Sequence, residues 1–456
     1  MKKENLPAFI MALASAAVLA LVMCDVALRF VMKNIVYDKM NVESPAVMWF
    51  VEGLVLDQEG TAVSINWNEQ YPREPQPVER EDRQGGIAGA WESFNQKMSR
   101  GVQKYKEVID YYCTDGLRNQ SGIAELAAGY DNMMGWQLVM GDGGALMVNE
   151  NGYLDTIYTE PVEAEELAKS VADLNELVVS GGGLFCYVQI PGNVCKYEED
   201  AVGTYVDYSN ENADRLLEQL AREGIPYLDL RDELHAAGMD HREAFYRTDC
   251  HWKVPTAFWA AGVITEYLTQ IGEIRFDPDQ YAADQYRTIL YENSFLGGNG
   301  RALTLRKAEP EDFELMLPAH ETSFTMEIPS RQMYLEGDFQ DVFIFEAPLT
   351  SHDYYGEDPY DSFRTRNYPL IRIHNQNAAG NQRKRLLIIR DSFSAPLIPY
   401  LAADIEYVDC LYLQSFDGSV REYIRQTQPD IVLAAYYPPN IQKIDWSSDS
   451  STFDFR

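Results

Sequence analysis

The stretch that decides the fold reads Leu386-Leu387-Ile388-Ile389-Arg390-Asp391-Ser392-Phe393. Its apolar half predicts a buried strand, Ser392 stands in the turn, and the sequence from Ala395 onward predicts a helix. A strand–turn–helix of this kind exposes the hydroxyl of its turn residue beside a helix N-terminus, as in a nucleophile elbow. Ser392 is therefore the predicted nucleophile, and Asp391 is expected to cap the helix or brace the turn.

A second motif lies upstream, in Thr248-Asp249-Cys250-His251-Trp252. Of the six histidines in the chain, His251 alone has an aspartate two residues before it and an aromatic residue after it. Acyl transfer through an alcohol needs a hydroxyl nucleophile, an imidazole base and a carboxylate that orients the imidazole. The predicted set is Ser392, His251 and Asp249. The alternatives are a chance Asp-x-His pair in a loop, and Ser394 as the nucleophile, which would be less exposed.

Strands alternate with helices from about residue 130 onward. The patterns predict helices over 163–179, 210–222 and from Pro255, and strands over 184–190, 227–230, 386–389, 408–413 and 431–435. This alternation predicts an α/β fold with a mostly parallel sheet flanked by helices. Ligands of such sheets bind beyond the carboxyl ends of the strands, where Ser392 falls. Residues 275–380 are less regular and are interpreted as insertions around the site.

The glycine-rich segment Gly297-Gly298-Asn299-Gly300 lies within these insertions. A segment of this composition is most often a simple turn. Its functional interpretation is an oxyanion donor, because backbone N–H groups stabilise the negative charge of a tetrahedral intermediate. Under that hypothesis Gly297, Gly298 and Asn299 supply a donor in addition to the backbone N–H of Ser392.

The N-terminus predicts a membrane anchor. An uncharged run from Leu6 to Cys24 follows Lys2 and Lys3. At ~1.5 Å per helical residue this run nearly spans the ~30 Å hydrocarbon core of a bilayer. A cleaved signal peptide is the competing interpretation, but no small-x-small site closes the run. Residues 1–34 are therefore the predicted single-pass anchor at the cell membrane, with the large domain outside the cytoplasm.

Two further regions follow the anchor. Residues 35–128 are interpreted as a stem, with a proline-spaced linker over 71–77 and then an amphipathic helix. The apolar stripe of that helix recurs every three or four residues: Trp91, Phe94, Met98, Val102, Tyr105, Ile109 and Tyr112. Residues 129–456 are the predicted catalytic domain.

Composition and motifs exclude several classes of function. A net charge of -33 and a pI near 4.5 argue against nucleic acid as a partner, because the two would repel each other. The sequence lacks the H-E-x-x-H, G-x-G-x-x-G and P-loop patterns. No cofactor and no metal are therefore expected.

Asp249-Cys250-His251-Trp252 followed by Asp391-Ser392-Phe393 resembles a known family. This is the SGNH hydrolase-like domain of the alginate O-acetyltransferases AlgX and AlgJ and of the related DHHW proteins. The resemblance covers roughly residues 130–440. It also includes three short segments, Gln189-Ile190-Pro191-Gly192-Asn193, Phe295-Leu296-Gly297-Gly298 and Pro429-Asp430. In that family the Asp-x-His pair precedes the serine, a permuted order relative to ordinary SGNH hydrolases, and this chain follows it.

The resemblance implies a function and partners. Ser392 would be the nucleophile, His251 the base and Asp249 its orienting carboxylate. The protein would transfer acetyl groups to a cell-surface or exported polysaccharide, with a membrane-bound O-acyltransferase as the partner that donates the acetyl group. Two alternatives stay open: a carbohydrate acetylesterase of the same fold, and a non-catalytic, membrane-anchored glycan-binding or scaffold protein.

Overall fold

The computed structural model describes residues 161–456 except 198–206, 273–274, 306, 381–382, 443 and 445–451, together with five short upstream strands. The chain divides into two compact units, residues 1–123 and 124–456. The predicted anchor over residues 1–34 and the predicted amphipathic helix lie outside the described residues. Among the helices that the structure does describe, none is long and apolar enough to span a bilayer.

The strands are numbered in chain order. Upstream lie β1 (Leu54–Leu56), β2 (Ala62–Ser64), β3 (Leu138–Gly141), β4 (Gly144–Val148) and β5 (Leu154–Ile157). Next come β6 (Leu184–Gln189), β7 (Tyr227–Asp229), β8 (Tyr286–Phe295), β9 (Glu311–Pro318) and β10 (Phe324–Ile328). The last five are β11 (Met333–Gly337), β12 (Leu370–Asn375), β13 (Arg385–Arg390), β14 (Tyr407–Leu411) and β15 (Ile431–Tyr436).

The helices are likewise numbered in chain order. Four long or medium helices come first: α1 (Glu165–Ser180), α2 (Ser209–Arg222), α3 (Leu230–Ala236) and α4 (Val254–Ile271). The rest are α5 (Gly298–Leu303), α6 (Phe339–Phe343), α7 (Ala347–Thr350), α8 (Leu397–Ala402) and α9 (Val420–Thr427). Pro255 lies in the first turn of α4, where its missing N–H leaves no intrahelical bond unmade.

The main sheet has eight strands in the order β11-β10-β12-β14-β13-β15-β6-β7. The five strands from β14 to β7 are parallel to one another. Parallel strands end at the same edge, so the residues after β13, β15 and β6 lie side by side. The predicted mostly parallel α/β sheet is therefore confirmed, and Ser392 follows the carboxyl end of β13, an interior strand of the sheet.

Helices cover both faces of the parallel strands. Along β13, Leu386 and Ile388 belong to one hydrophobic cluster, which includes α4 and α8. Leu387 and Ile389 belong to the other, which includes α1, α2 and the C-terminal Phe453 and Phe455. Side chains of a strand alternate between the two faces, so an apolar run without polar interruptions is what a strand buried on both faces requires.

The interpretation of residues 275–380 as insertions is partly wrong. Strands β10, β11 and β12 from this region extend the main sheet, and they pair antiparallel at its β14 edge. The same region also forms the antiparallel β8–β9 hairpin, which contains a register shift between Tyr291 and Phe295. Strands from the region thus belong to the core sheet as well as to the surroundings of the site.

Candidate active site

The three predicted catalytic side chains meet beyond the carboxyl end of β13. The Nε2 atom of His251 lies 2.8 Å from Ser392 Oγ. On the other side of the ring, Nδ1 lies 2.5 Å from Asp249 Oδ1. These distances are those of hydrogen bonds between hydroxyl, imidazole and carboxylate. The arrangement is that of a serine–histidine–aspartate triad, in which Nε2 can accept the hydroxyl proton while Asp249 holds the ring.

The turn that presents Ser392 is held by Asp391. One of its carboxylate oxygens accepts the backbone N–H of Phe393 at 3.0 Å. The other accepts the N–H of Tyr437 at 2.7 Å and the side-chain amide of Asn440 at 2.9 Å. Burial raises the pKa of Asp391, and the three donors partly offset this. Asp391 therefore braces the turn and joins it to the segment after β15, as the sequence predicts.

Exposure separates the two candidate serines. Ser392 is half-buried, and its hydroxyl is the one that contacts His251. Ser394 is 0% exposed, and its Oγ has no hydrogen-bond partner among the described residues. A substrate can reach the first hydroxyl and not the second, so the geometry favours Ser392.

Two aromatic side chains fix the segment next to the nucleophile. The indole N–H of Trp252 donates to the carbonyl oxygen of Phe393 at 2.9 Å. The hydroxyl of Tyr360 donates to the same oxygen at 3.4 Å. The ring of Tyr360 also stacks on the imidazole of His251, with ring centroids 4.2 Å apart. Trp252 thus joins the histidine motif to the serine turn, and Tyr360 covers one face of the base.

Asp249 is buried and well provided with donors. Its Oδ1 accepts the backbone N–H of His251 at 3.0 Å in addition to the ring, and its Oδ2 accepts the N–H of Gly298 at 2.7 Å. Burial on its own would raise the pKa of the Asp249 carboxyl. The positive charge and hydrogen bonds of His251 outweigh burial and hold that pKa well below its usual range. The carboxylate therefore stays ionised and orients the imidazole.

The electrostatic partner of this carboxylate is the His251 ring. Burial disfavours protonation of the imidazole, but the adjacent Cys250 sulfur and the charge and hydrogen bond of Asp249 more than offset it, so the pKa of His251 is raised well above its usual value. A raised pKa makes the imidazole a stronger base. It also means that a larger share of His251 is protonated, and unable to accept a proton, near neutral pH.

The prediction that Gly297 and Gly298 supply an oxyanion donor is wrong. The N–H of Gly297 donates to Thr248 Oγ1 at 3.0 Å, and that of Gly298 to Asp249. A Cβ atom on Gly297 would overlap Asp249 Cβ and lie 2.6 Å from Thr248 O. This segment contains glycine because it packs directly against the aspartate loop, which it supports from behind. The suggested role of Asn299 stays a prediction.

Glu311 also supports the loop that carries Asp249, a role that the sequence does not indicate. The carboxylate of Glu311 accepts the backbone N–H of Thr248 at 2.9 Å and its hydroxyl at 2.7 Å. It also accepts the N–H of Arg247 at 3.0 Å. Glu311 therefore anchors the chain immediately before Asp249. Its sequence neighbourhood is rich in acidic residues, so nothing in the pattern singles it out.

Arg390 lies immediately before Asp391, and its charged side chain is unexpectedly buried. Its side chain is 1% exposed, and its guanidinium donates to the carbonyl oxygens of Thr365 at 2.9 Å and Arg366 at 2.6 Å. It also donates to the Asn367 side chain at 2.8 Å. Burial lowers the pKa of Arg390. Arg390 thus ties the nucleophile strand to the segment 365–367.

One cluster among the described residues has the ligand types of a metal site. Potential ligand atoms of Asp249, Cys250 and His251 lie within 4.8 Å of one another. Two of these residues, however, already share the short hydrogen bond between Nδ1 and Oδ1. A metal at this position would have to break that bond, so the geometry fits a catalytic dyad better than a metal centre.

A family model matches the part of the chain that contains the histidine motif. The family model of the SGNH hydrolase-like domain of the acetyltransferase AlgX matches residues 156–297, which contain Asp249 and His251. Curated protein sequences gave no significant match.

Solved structures are similar in fold. PatB1 from Bacillus cereus with a sulfonyl adduct superimposes with a TM-score of 0.54 at 19% identity, covering 70% of this chain and 98% of that one. A DHHW family protein from Eubacterium siraeum gives a TM-score of 0.51 at 16% identity, over 69% of this chain and 96% of that one. The O-acetyltransferase domain of Pseudomonas putida AlgJ gives a TM-score of 0.37 at 14% identity over 70% and 99% of the two chains, which is too low to bear on the fold. The chain therefore contains an SGNH hydrolase-like α/β domain, and its predicted resemblance to the AlgX-like family is confirmed.

Proposed function

We propose that the protein is an O-acetyltransferase that forms an acetyl-enzyme on Ser392. The observation that carries the proposal is the continuous chain of hydrogen bonds from Ser392 Oγ through His251 to Asp249. A hydroxyl with its base in place and the base oriented by a carboxylate is the arrangement that activates serine for acyl transfer. The match to the domain of the acetyltransferase AlgX supports acetyl as the acyl group.

The first half-reaction forms the acetyl-enzyme. Ser392 Oγ attacks the carbonyl carbon of the acetyl donor while His251 Nε2 takes the hydroxyl proton. The tetrahedral intermediate then collapses and expels the donor alcohol, which receives that proton from His251. The positive charge that forms on the imidazole lies next to Asp249, whose ionised carboxylate stabilises it.

The intermediate needs a hydrogen-bond donor for its oxyanion. Among the described residues no hydrogen bond occupies the backbone N–H of Ser392, which lies at the start of the turn held by Asp391. We assign the oxyanion to this N–H, because a donor that is fixed in advance stabilises the charge as it develops. The amides of Gly297 and Gly298 already donate to Thr248 and Asp249.

In the second half-reaction an acceptor hydroxyl replaces the donor. His251 takes its proton, the acceptor oxygen attacks the acetyl carbon, and Ser392 leaves with the proton returned to Oγ. We propose a hydroxyl of a cell-surface or exported polysaccharide as the acceptor. We further propose a membrane-bound O-acyltransferase as the partner that supplies the acetyl group. The support for both is the resemblance to the acetyltransferase family.

Transfer to a glycan and release to water differ in the second step alone. Full-length protein should therefore be incubated with an activated acetyl ester, with and without candidate glycans, and the products analysed by mass spectrometry. We expect glycan O-acetylation that depends on Ser392. Free acetate as the sole product in the presence of every glycan would favour the esterase, and no turnover of the ester would favour the non-catalytic scaffold.

We also propose that residues 1–34 anchor the protein and that its catalytic domain lies outside the cytoplasm. The support is the uncharged run from Leu6 to Cys24 behind Lys2 and Lys3. Protease added to intact spheroplasts should remove the large domain. Digestion that requires lysis would contradict this orientation.

A further inference from the structure

A cleft of about 420 Å³ opens beside the loop that carries Asp249. Its volume is within the range of ~300–1,000 Å³ that is usual for ligand pockets. One wall is the β8–β9 hairpin, and the other is the chain on either side of the histidine motif. Seven polar residues line it: Tyr246, Arg247, Lys253, Asn293, Glu311, Asp312 and Glu314.

The cleft shares its framework with the triad. Arg247 lies two residues before Asp249, and Lys253 lies two residues after His251. Glu311 in the wall of the cleft anchors Thr248, the neighbour of Asp249, through bonds of 2.9 and 2.7 Å. A ligand in the cleft therefore contacts the same backbone segment that positions the base.

The charged side chains of the cleft differ in how far they are already engaged. Glu311 is bonded to Thr248, and Asp312 accepts the backbone N–H of Asn293 at 2.8 Å. Glu314 lies half-buried on β9, and among the described residues no hydrogen bond or ion pair engages its carboxylate. Its carboxylate is therefore the acceptor in the wall that a ligand can use.

Tyr246, which also lines the cleft, has a buried hydroxyl that makes no hydrogen bond within the described residues. The residue is 1% exposed. Burial raises the pKa of Tyr246, and the neighbouring charges with the largest effect are those of Glu311 and Glu314. Its hydroxyl is thus an un-ionised donor that no described residue uses. Buried polar groups in folded proteins nearly always have partners, and those without one often have a functional role.

We propose that this cleft binds an uncharged sugar residue of the acceptor, other than the residue that is acetylated. A sugar hydroxyl both donates and accepts hydrogen bonds, and the cleft offers ammonium and guanidinium donors beside carboxylate acceptors. Three carboxylates against two cations disfavour a uronate in the same place. The inference rests on the proposed function and deepens it, since it assigns the acceptor to the neutral glycans.

The test compares Glu314→Gln with a matched variant, Glu292→Gln. The first keeps the shape of the side chain and removes its charge. The second makes the same change on β8 at an exposed residue that does not line the cleft. Transfer from an activated acetyl ester to glucose, to a long neutral gluco-oligosaccharide and to oligouronates should be measured with the full-length protein, together with hydrolysis of the ester alone.

We expect Glu314→Gln to raise KM for the long oligosaccharide about tenfold, as loss of one charge-assisted hydrogen bond implies. The kcat, ester hydrolysis and use of the monosaccharide should not change, and Glu292→Gln should match wild type throughout. An unchanged KM in Glu314→Gln, or preferential use of oligouronates, would overturn the inference while leaving acetyl transfer intact. If the wild-type protein shows no ester turnover that depends on Ser392, the proposed function is wrong, and this inference with it.

Discussion

Gly297→Ala tests the contact that supports Asp249, the proposed catalytic aspartate. The new Cβ would overlap Asp249 Cβ and lie 2.6 Å from the carbonyl oxygen of Thr248. Since ordinary contacts between heavy atoms are ~3.5–4.0 Å, the aspartate loop and α5 must move apart by about 1 Å. The new Cβ would also overlap Asp249 Oδ2, but the other two contacts belong to backbone or to the first side-chain atom, so movement of a side-chain end alone cannot absorb the shift.

The size of the effect follows from the distances in the triad. A 1 Å displacement would stretch the 2.5 Å bond between Asp249 Oδ1 and His251 Nδ1 to the limit of a hydrogen bond. A misplacement of ~1 Å at a catalytic group can cost ~10²-fold in rate. We therefore expect kcat for ester hydrolysis to fall by about 10²-fold. The fold should survive, since overpacking typically costs ~1–3 kcal/mol.

Gly298→Ala is the matched control, one residue further along. Its Cβ would lie 3.7 Å from Asp249 Oδ2 and 3.9 Å from a guanidinium nitrogen of Arg301, both ordinary contacts. It also keeps the backbone N–H that donates to Asp249. Steady-state hydrolysis of an activated acetyl ester, with folding checked by circular dichroism, should show a large loss for Gly297→Ala and little loss for Gly298→Ala. Equal rates for the two variants would refute the reasoning.

Four other outcomes follow from the same geometry. The wild-type rate should rise with pH and reach half its maximum above pH ~6.5, because His251 must be neutral to accept a proton and its pKa is raised. Asp249→Asn should slow the reaction by up to about 10⁴-fold. It should also move the midpoint of the pH profile to lower pH, because the buried imidazole then lacks the carboxylate that stabilises its protonated form. A midpoint that does not move would argue against the pairing of Asp249 with His251. Ser394→Ala should retain most activity while Ser392→Ala loses it, as single-turnover assays would show, and the reverse result would identify the other serine as the nucleophile. Asp391→Ala should lower the free energy of unfolding, measured by urea titration, by about 3 kcal/mol, because it leaves the buried backbone N–H groups of Phe393 and Tyr437 unpaired. A decrease of less than about 1 kcal/mol would contradict the proposal that Asp391 braces the turn.

Local sequence patterns were sufficient to predict the strand before Ser392 and the long helices around the triad. The apolar run before Ser392 predicts a strand over 386–389, and the structure has it at Arg385–Arg390. The helix that begins around Pro255 and the helices predicted over 163–179 and 210–222 are likewise found. These segments are buried on one or both faces, so their apolar period reports their structure directly.

The antiparallel part of the sheet was missed for a physical reason that is visible in its residues. Strand β10 alternates buried Phe324, Met326 and Ile328 with half-buried Thr325 and exposed Glu327. A strand with one polar face carries a weaker signal than a continuous apolar run, and aromatic and acidic residues surround this one. That β10 pairs with β12, which is distant in sequence, depends on tertiary contacts that no local pattern contains.

The glycine-rich segment shows a different limit of sequence reasoning. A glycine is needed where the backbone is strained, where an amide must face a ligand, or where two segments pack closely. The sequence shows a glycine in each case and does not tell which of the three reasons applies. At Gly297 the reason is close packing against Asp249 and Thr248. Supporting contacts such as that of Glu311 with Thr248 join residues that are distant in sequence, so they become visible in the three-dimensional structure.

The central claim is that Ser392 carries the acetyl group between donor and acceptor. Its most direct test is to mix the full-length protein with an activated acetyl ester, quench with acid, and locate the acetyl group by peptide mass spectrometry. We predict acetylation of Ser392 in the wild type and no such adduct in Ser392→Ala or His251→Ala. Acetylation that persists in Ser392→Ala at the wild-type level, or that maps to Ser394, would contradict the account.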